Sequence, residues 1–460
     1  MLSTFYFTSL LLYPHLRIQI PKPKFHNSRN SLSKLTFENP NSPVMSSDLP
    51  SPRKRGQAQS SEAESSRAPP LVEKLMANIQ LEEQLNPKLT LKRFLSVHSV
   101  ISISSSFAER QQAAVGTRSQ FRSIGAGTCG KVYEVPGTTD VFKVSNFPGQ
   151  ATDQLWNDYQ THARISQVFE NFGRGNIKVQ VPRHKYFVGM SDDIWWGENL
   201  DRFPNQDGPS NLLATERILP LTKVIRESLI DMYCPAERRK YFKADQSNKD
   251  CLVRIYLGKR RSPVVPKFKT FQLRNFLLHL DQIEELELNA SEFASGIAEA
   301  LAIMHWACQL DANDVEFVLG SAPDYIAEPH LIQPENIPPG VIAKMKPNTS
   351  TWDASLKNFH KRTTHIWMLD FNRCATFTPD QKGLEKLVHS FFRNDPYFPR
   401  PCAESDQDKE LWNFFGKTYL VTAQKCVNKG MLPEKFAGLP AQFLNMVQAE
   451  QKKRMAARNA

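Results

Sequence analysis

The stretch FRSIGAGTCGKVYEV, residues 121–135, constrains this chain more than any other. Gly125, Gly127, Gly130 and Val132 fit G-x-G-x-x-G-x-V between two arms of strand-forming residues. Glycine lets the backbone turn sharply and approach a ligand with no side chain in the way. The segment therefore reads as strand, glycine turn, strand, with N–H groups at the three glycines free to meet phosphate oxygens. A ligand-free hairpin would look the same, so the neighbouring residues must decide.

Thirteen residues after Gly130, Lys143 sits in DVFKV, flanked by apolar residues as in a buried strand. A lysine is seldom buried without an anionic partner. The next periodic segment, about 150–172, reads as a helix burying Leu155, Tyr159, His162, Phe169 and Phe172 and stopped by Gly173, with Asp158 near its start. TERILPL then reads as a strand turning at Pro220, placing Glu216 to Leu219 at a hinge. In NASEFASGIAEALAIMHWA, Asn289 is a helix cap with Glu292 at the capping-box position, and Phe293, Ile297, Leu301 and Met304 mark a core face.

Two acidic stretches follow. QLDANDVEFVLG places Asp311, Asn313 and Asp314 before an alternating strand, and an extended loop would project Asp311 and Asn313 to one side as two ligands of a cation. An Asx-rich turn gives the same residues. HIWMLDFNRC is a hydrophobic strand ending in Asp370, a carboxylate well placed for magnesium, for a turn or for a cap.

This order resembles the protein-kinase-like fold. The resemblance implies that Lys143 is the phosphate-pairing lysine, that Asp158 replaces its usual glutamate partner, and that Asp370 heads a D-F-G-like element with Asn372 in place of the glycine. It also implies that Glu216 to Leu219 lie beside an adenine. MHWACQLDANDVEFVLG, LWNDY and WMLDFNRC are together similar to a fungal family, domain of unknown function 3669, whose members carry the label zinc finger protein. That label implies zinc, but the seven scattered cysteines, 129, 234, 251, 308, 374, 402 and 426, contain no C-x-x-C pair, so zinc is not expected.

The expected fold class is α+β, a two-lobed protein-kinase-like fold with a disordered N-terminal arm at 1–70. A helical extension at 71–118 carries Leu71, Leu75, Ile79 and Leu81, followed by a small lobe at 119–219, a mainly helical large lobe at 220–430 and a basic tail at 431–460. Protein kinases set five positions between the catalytic aspartate and the metal-binding asparagine. Asp311 and Asn313 are two apart, with no His-Arg pair before Asp311, so the loop reads as cut short. A proline-rich insertion also separates Leu319 from His365.

Three functions fit these residues. The first is a nucleotide-binding module of the pseudokinase type, holding ATP and magnesium through Gly125, Gly127, Gly130, Lys143, Asp158, Glu216, Asn313 and Asp370, and presenting its surface to a protein partner. The second is an active phosphotransferase on a protein or small molecule, with Asp311 as general base. The third is nucleic-acid binding, because 58 Lys plus Arg against 47 Asp plus Glu give a net charge of +11, concentrated around 238–269 with Tyr241, Phe242, Tyr256 and Phe268 interleaved. No run of eighteen apolar residues marks a transmembrane helix. Free thiols imply a reducing compartment, cytoplasm or nucleus. The first 37 residues lack acids, as mitochondrial leaders do, but their prolines interrupt an amphipathic helix.

Overall fold

The computed structural model describes residues 86–97, 99–102, 110–111, 113–114, 117–173, 177–262, 271–324, 340, 358–403 and 405–459. The arm expected at 1–70, the face of Leu71 to Leu81, Phe268 and nearly all of the proline-rich insertion lie outside these residues. Helix α1 (Pro87–Phe94) starts because Asn86 accepts hydrogen bonds from the N–H groups of Lys88 and Leu89 while Pro87 occupies the first turn. It leads to β1 (Val100–Ser102).

Residues 121–216 build the small lobe. Strands β2 (Arg122–Ala126), β3 (Gly130–Val135) and β4 (Asp140–Ser145) form an antiparallel meander. Helix α2 (Leu155–Phe172) follows, then β5 (Val179–Gln180), β6 (His184–Val188), α3 (Asp193–Asn199) and β7 (Leu212–Glu216). The sheet order is β2-β3-β4-β7-β6. One face packs on an aromatic cluster in which the rings of Phe121 and Phe142 lie 5.1 Å apart and those of Tyr133 and Phe203 5.0 Å apart, each pair edge to face.

The large lobe opens with α4 (Lys223–Tyr233) and α5 (Arg239–Ala244), then β8 (Val253–Tyr256), β9 (Phe276–His279) and α6 (Leu280–Glu285). Helix α7 (Ala290–Trp306) begins where Asn289 accepts from the N–H of Glu292 at 3.1 Å. The long hairpin of β10 (Glu316–Asp324) and β11 (Asn358–Leu369) brackets the proline-rich insertion. Helices α8 (Gln381–Arg393), α9 (Asp406–Asn428) and α10 (Leu439–Asn459) complete the lobe.

The architecture is two-lobed α+β, a five-stranded antiparallel sheet with one long helix, joined through a hinge at 217–220 to a larger lobe. That larger lobe adds to its helices a second sheet, β1-β11-β10-β8-β9, with β5 beside β11. Its boundary also differs. Residues 431–460 carry α10, whose Phe443 and Val447 are fully buried, so the basic residues ride on a core helix.

The large-lobe core contains one closed polar knot. Trp306 Nε1 donates to Tyr419 Oη at 2.7 Å, and Tyr419 Oη lies 2.7 Å from His305 Nδ1. Burial pushes the His305 pKa down to about 3, so the ring is neutral and Nδ1 accepts the phenol proton. Tyr419→Phe strands the indole N–H and the imidazole nitrogen in a dry core. Urea unfolding is expected to show a loss of about 1–3 kcal/mol.

Candidate functional site

The strand alternation of β4 decides where Lys143 points. Phe142 and Val144 face the aromatic core, so the side chain between them crosses to the other face. There Lys143 Nζ donates to Asp158 Oδ2 at 2.7 Å and to Asp370 Oδ1 at 2.9 Å. Burial works against the ammonium, but the two carboxylates outweigh it and hold its pKa above the ordinary lysine value. Asp158 stands in the first turn of α2, where the helix dipole favours a negative charge. Its other oxygen, Oδ1, accepts from the Phe371 N–H at 3.3 Å. Asp370 has a φ of +66°, a left-handed turn that ends β11 and swings the carboxylate towards the lysine.

Above this triad lies the glycine turn. Gly127 N–H donates to Gly130 O at 2.9 Å, and Asn146 Nδ2 donates to Gly127 O at 2.9 Å. A Cβ on Gly130 would come within 2.6 Å of Val144 O, so this position requires glycine. Asn372 Nδ2 ties the turn to the floor, donating to Cys129 Sγ at 3.2 Å and to Gln154 Oε1 at 2.7 Å. Between roof and floor is a cleft of about 470 Å³, lined by Gly125, Gly127, Gly130, Lys143, Asp158, Glu216 and Asp370. Seven residues expected from the sequence therefore converge.

Asp311 and Asn313 do not join them. Asp311 is buried, its Oδ1 accepts from the N–H groups of Asn313 and Ala375 at 3.1 and 2.9 Å, and its Oδ2 lies 3.1 Å from Lys386 Nζ. It is a turn clamp, as the Asx reading had it. Asn313 Nδ2 donates to Arg373 O at 3.3 Å, and the residue lines a neighbouring groove. The residues before β10 that do face the cleft are Asp314 and, along the strand, Glu316 and Val318, while Phe317 and Leu319 turn into the core. Asp314, not Asn313, thus faces the cleft.

This placement changes the loop. Counted back five positions from Asp314, the kinase spacing reaches Gln309, not Asp311. Gln309 is exposed with a φ of +51°, and Leu310 beside it bridges to Thr376. Sequence reading missed Asp314 and Glu316 as cleft residues because it measured the spacing from the first aspartate. The period-two alternation through β10 carried the signal, since it puts Asp314 and Glu316 on the face of Val318.

The cleft floor is charged. Glu316 pairs with Arg254, whose Nη1 also lies 2.8 Å from Asp395. Burial, joined by the nearby carboxylates of Asp370, Asp395 and Asp314 and opposed by Arg254, pushes the Glu316 pKa up to about 7. At the hinge, Glu216 N–H donates to Arg183 O at 2.7 Å, Arg217 N–H to Thr139 O at 2.8 Å and Leu219 N–H to Ser321 O at 2.9 Å. Glu216 lines the cleft, but its backbone donor and its carboxylate, which accepts from Arg183 N–H at 3.1 Å, are both engaged inside the protein.

With this geometry in place, residues 366–431 match the DUF3669 family, described as zinc finger protein. The matched stretch spans the end of β11, Asp370, α8 and α9. Its thiols do not fit a zinc centre: burial pushes the Cys426 pKa up to about 12 and that of Cys374 well above the ordinary thiol value, and no cluster of three potential ligands occurs among the described residues. No curated protein matches the whole chain in sequence. Among solved structures, a GDP complex of an aminoglycoside 2′-phosphotransferase point mutant is similar at 10% identity and a TM-score of 0.17, over 75% of this chain and 97% of that one. A GDP and kanamycin complex of an aminoglycoside 2″-phosphotransferase is similar at 11% identity and 0.17, over 74% and 96%.

Several cations of the basic 238–269 segment are paired within the protein. Lys243 pairs with Asp231, Arg260 with Glu284 and Asp408, and Arg261 with Asp281 and Glu285, while Phe242 and Tyr256 are buried. Residues 263–270 lie outside the described residues. No described helix is long and apolar enough to cross a membrane.

Glu316 gives the site a pH signature. Its folded pKa of about 7 exceeds the ordinary glutamate value of 4.5, so the protonated form favours folding below about 4.5 and that contribution is lost as pH rises through 7. Glu316→Gln is expected to raise the melting temperature at pH 8 relative to wild type, with the difference vanishing near pH 4. Calorimetric scans across that range check it.

Proposed function

We propose that this chain is a kinase-like nucleotide-binding module of the pseudokinase type. The observation that carries this reading is the bonding of Lys143 to both Asp158 and Asp370 beneath a glycine turn. The lysine would receive the phosphates beneath the turn. Asp370 and Asp314, hard oxygen donors facing the same cleft, suit magnesium, which when bound would neutralise phosphate charge. With the N–H groups of Glu216, Arg217 and Leu219 already bonded, base recognition rests on other groups, and ATP and GTP are both candidates.

One observation favours the second reading, an active phosphotransferase. Glu316 is a cleft carboxyl with its pKa pushed up to about 7, the range in which a general base works best.

Thermal-shift titration with MgATP and MgGTP separates these readings. Ligand at about a hundred times its dissociation constant stabilises the wild type by roughly 2.7 kcal/mol, a gain that Lys143→Met and Asp370→Asn should remove. Binding with no ATP turnover supports the module. Turnover by wild type that Glu316→Gln abolishes establishes the enzyme instead. No shift with either nucleotide overturns both.

A further inference from the structure

A separate cavity of about 590 Å³ lies beside α4, the turn Gln246–Asp250 and β11. It is lined by six basic side chains, Arg110, Lys223, Arg226, Lys243, Lys249 and Arg362, against two acids, Glu227 and Asp245. The acids do little to neutralise them. Asp245 Oδ1 accepts from the Ser247 N–H at 2.9 Å as a local cap, and Glu227 lies 3.8 Å from Lys223, one turn away on α4. Lys243 is paired with Asp231. The side chains of Arg110 and Lys249 face the cavity with no ion pair among the described residues.

Like charges held together at this density oppose folding unless an anion joins them. The strain is visible in the bases themselves. Burial and the nearby Arg217 and Arg226 push the Arg362 pKa down to about 10. Burial, then Arg110 and Arg226, lower that of Lys249.

Two buried polar groups on the cavity wall are also unsatisfied. Thr222 is 2% exposed, caps α4 without a side-chain cap bond, and its hydroxyl has no hydrogen-bond partner. Arg226 donates through Nη1 to Asn248 O at 3.1 Å, but its Nε–H has no partner. The first turn of α4, an eleven-residue helix, adds backbone N–H groups that no helix can satisfy internally. A helix N-terminus, an open hydroxyl and an open guanidinium N–H together match the oxygen-rich surface of a phosphate.

We propose that this cavity binds a compact polyphosphate, a small molecule or headgroup carrying two or more phosphate groups. One phosphate would sit on the α4 terminus with Thr222 and Arg226, and the remaining charge would face Arg110 and Lys249. The cavity is distinct from the nucleotide cleft but shares Pro220 of the hinge with it. The proposal stands whether or not the cleft binds nucleotide.

The test uses the full chain and calorimetric titration with inositol hexakisphosphate and pyrophosphate. Saturable binding is expected, weakened about tenfold or more by Arg226→Gln with Lys249→Gln, since charge-assisted hydrogen bonds are worth at least that factor. Thr222→Val, which changes no charge, should also weaken it, whereas Lys240→Gln, outside the cavity, should not. Lys249→Gln should raise the melting temperature of the unliganded protein by relieving repulsion, which separates lost binding from lost folding. Phosphoinositide vesicles that bind and are competed off by inositol hexakisphosphate assign a headgroup. Binding in solution without vesicle association assigns a soluble ligand. The proposal falls if wild type shows no saturable binding, if Lys240→Gln weakens it as much as the cavity variants, or if the cavity holds only an RNA that inositol hexakisphosphate cannot displace.

Discussion

The bonding of Lys143 to Asp158 and Asp370 is the interaction on which the rest of the molecule depends. It joins three elements far apart in sequence: a central strand of the small lobe, the first turn of α2, and the end of β11 in the large lobe. A buried ammonium is costly to desolvate and is tolerated only with good partners. Two carboxylates supply them, so the lobes, α2 and the left-handed turn at Asp370 are held in a single arrangement. Asn157 adds to this, donating to the carbonyls of Asn372 and Cys374 at 2.8 and 3.1 Å, so that α2 is stitched to the strand end on both sides of the lysine.

The same arrangement preorganises the cleft. The glycine turn is fixed by Asn146 and Asn372 and the lysine by its carboxylates. Glu316 and Arg254 set a charged pair on the cleft floor.

Much of this was legible in the residues. The three glycines, the lysine between Phe142 and Val144, and the carboxylates at 158 and 370 are each tied to a local pattern, a turn, an alternation, a first helical turn or a strand end. Such patterns predict which face a side chain takes. The loop before β10 was misread for a reason equally local. Asp311, Asn313 and Asp314 are chemically alike in a string of letters, and an Asx turn and a cation site draw on the same residues. Only the pairing of Leu310 with Thr376, and the Ala375 N–H reaching Asp311, show which aspartate clamps the turn and which enters the cleft. In the basic segment Lys243 and Arg260 likewise find acids 12 to 148 positions away.

By itself the sequence determined the order of elements, the glycine turn, and a buried Lys143 with Asp158 as its partner, because these follow from periodicity and from the cost of burying a charge. Tertiary structure alone decided that Asp311 is a clamp and Asp314 a cleft residue. It also decided that the hinge donors are already bonded, and that Arg110, Thr222, Arg226, Lys249 and Arg362 surround one cavity. Each of these depends on a partner brought from a distant part of the chain, and periodicity, being local, carries no information about such partners.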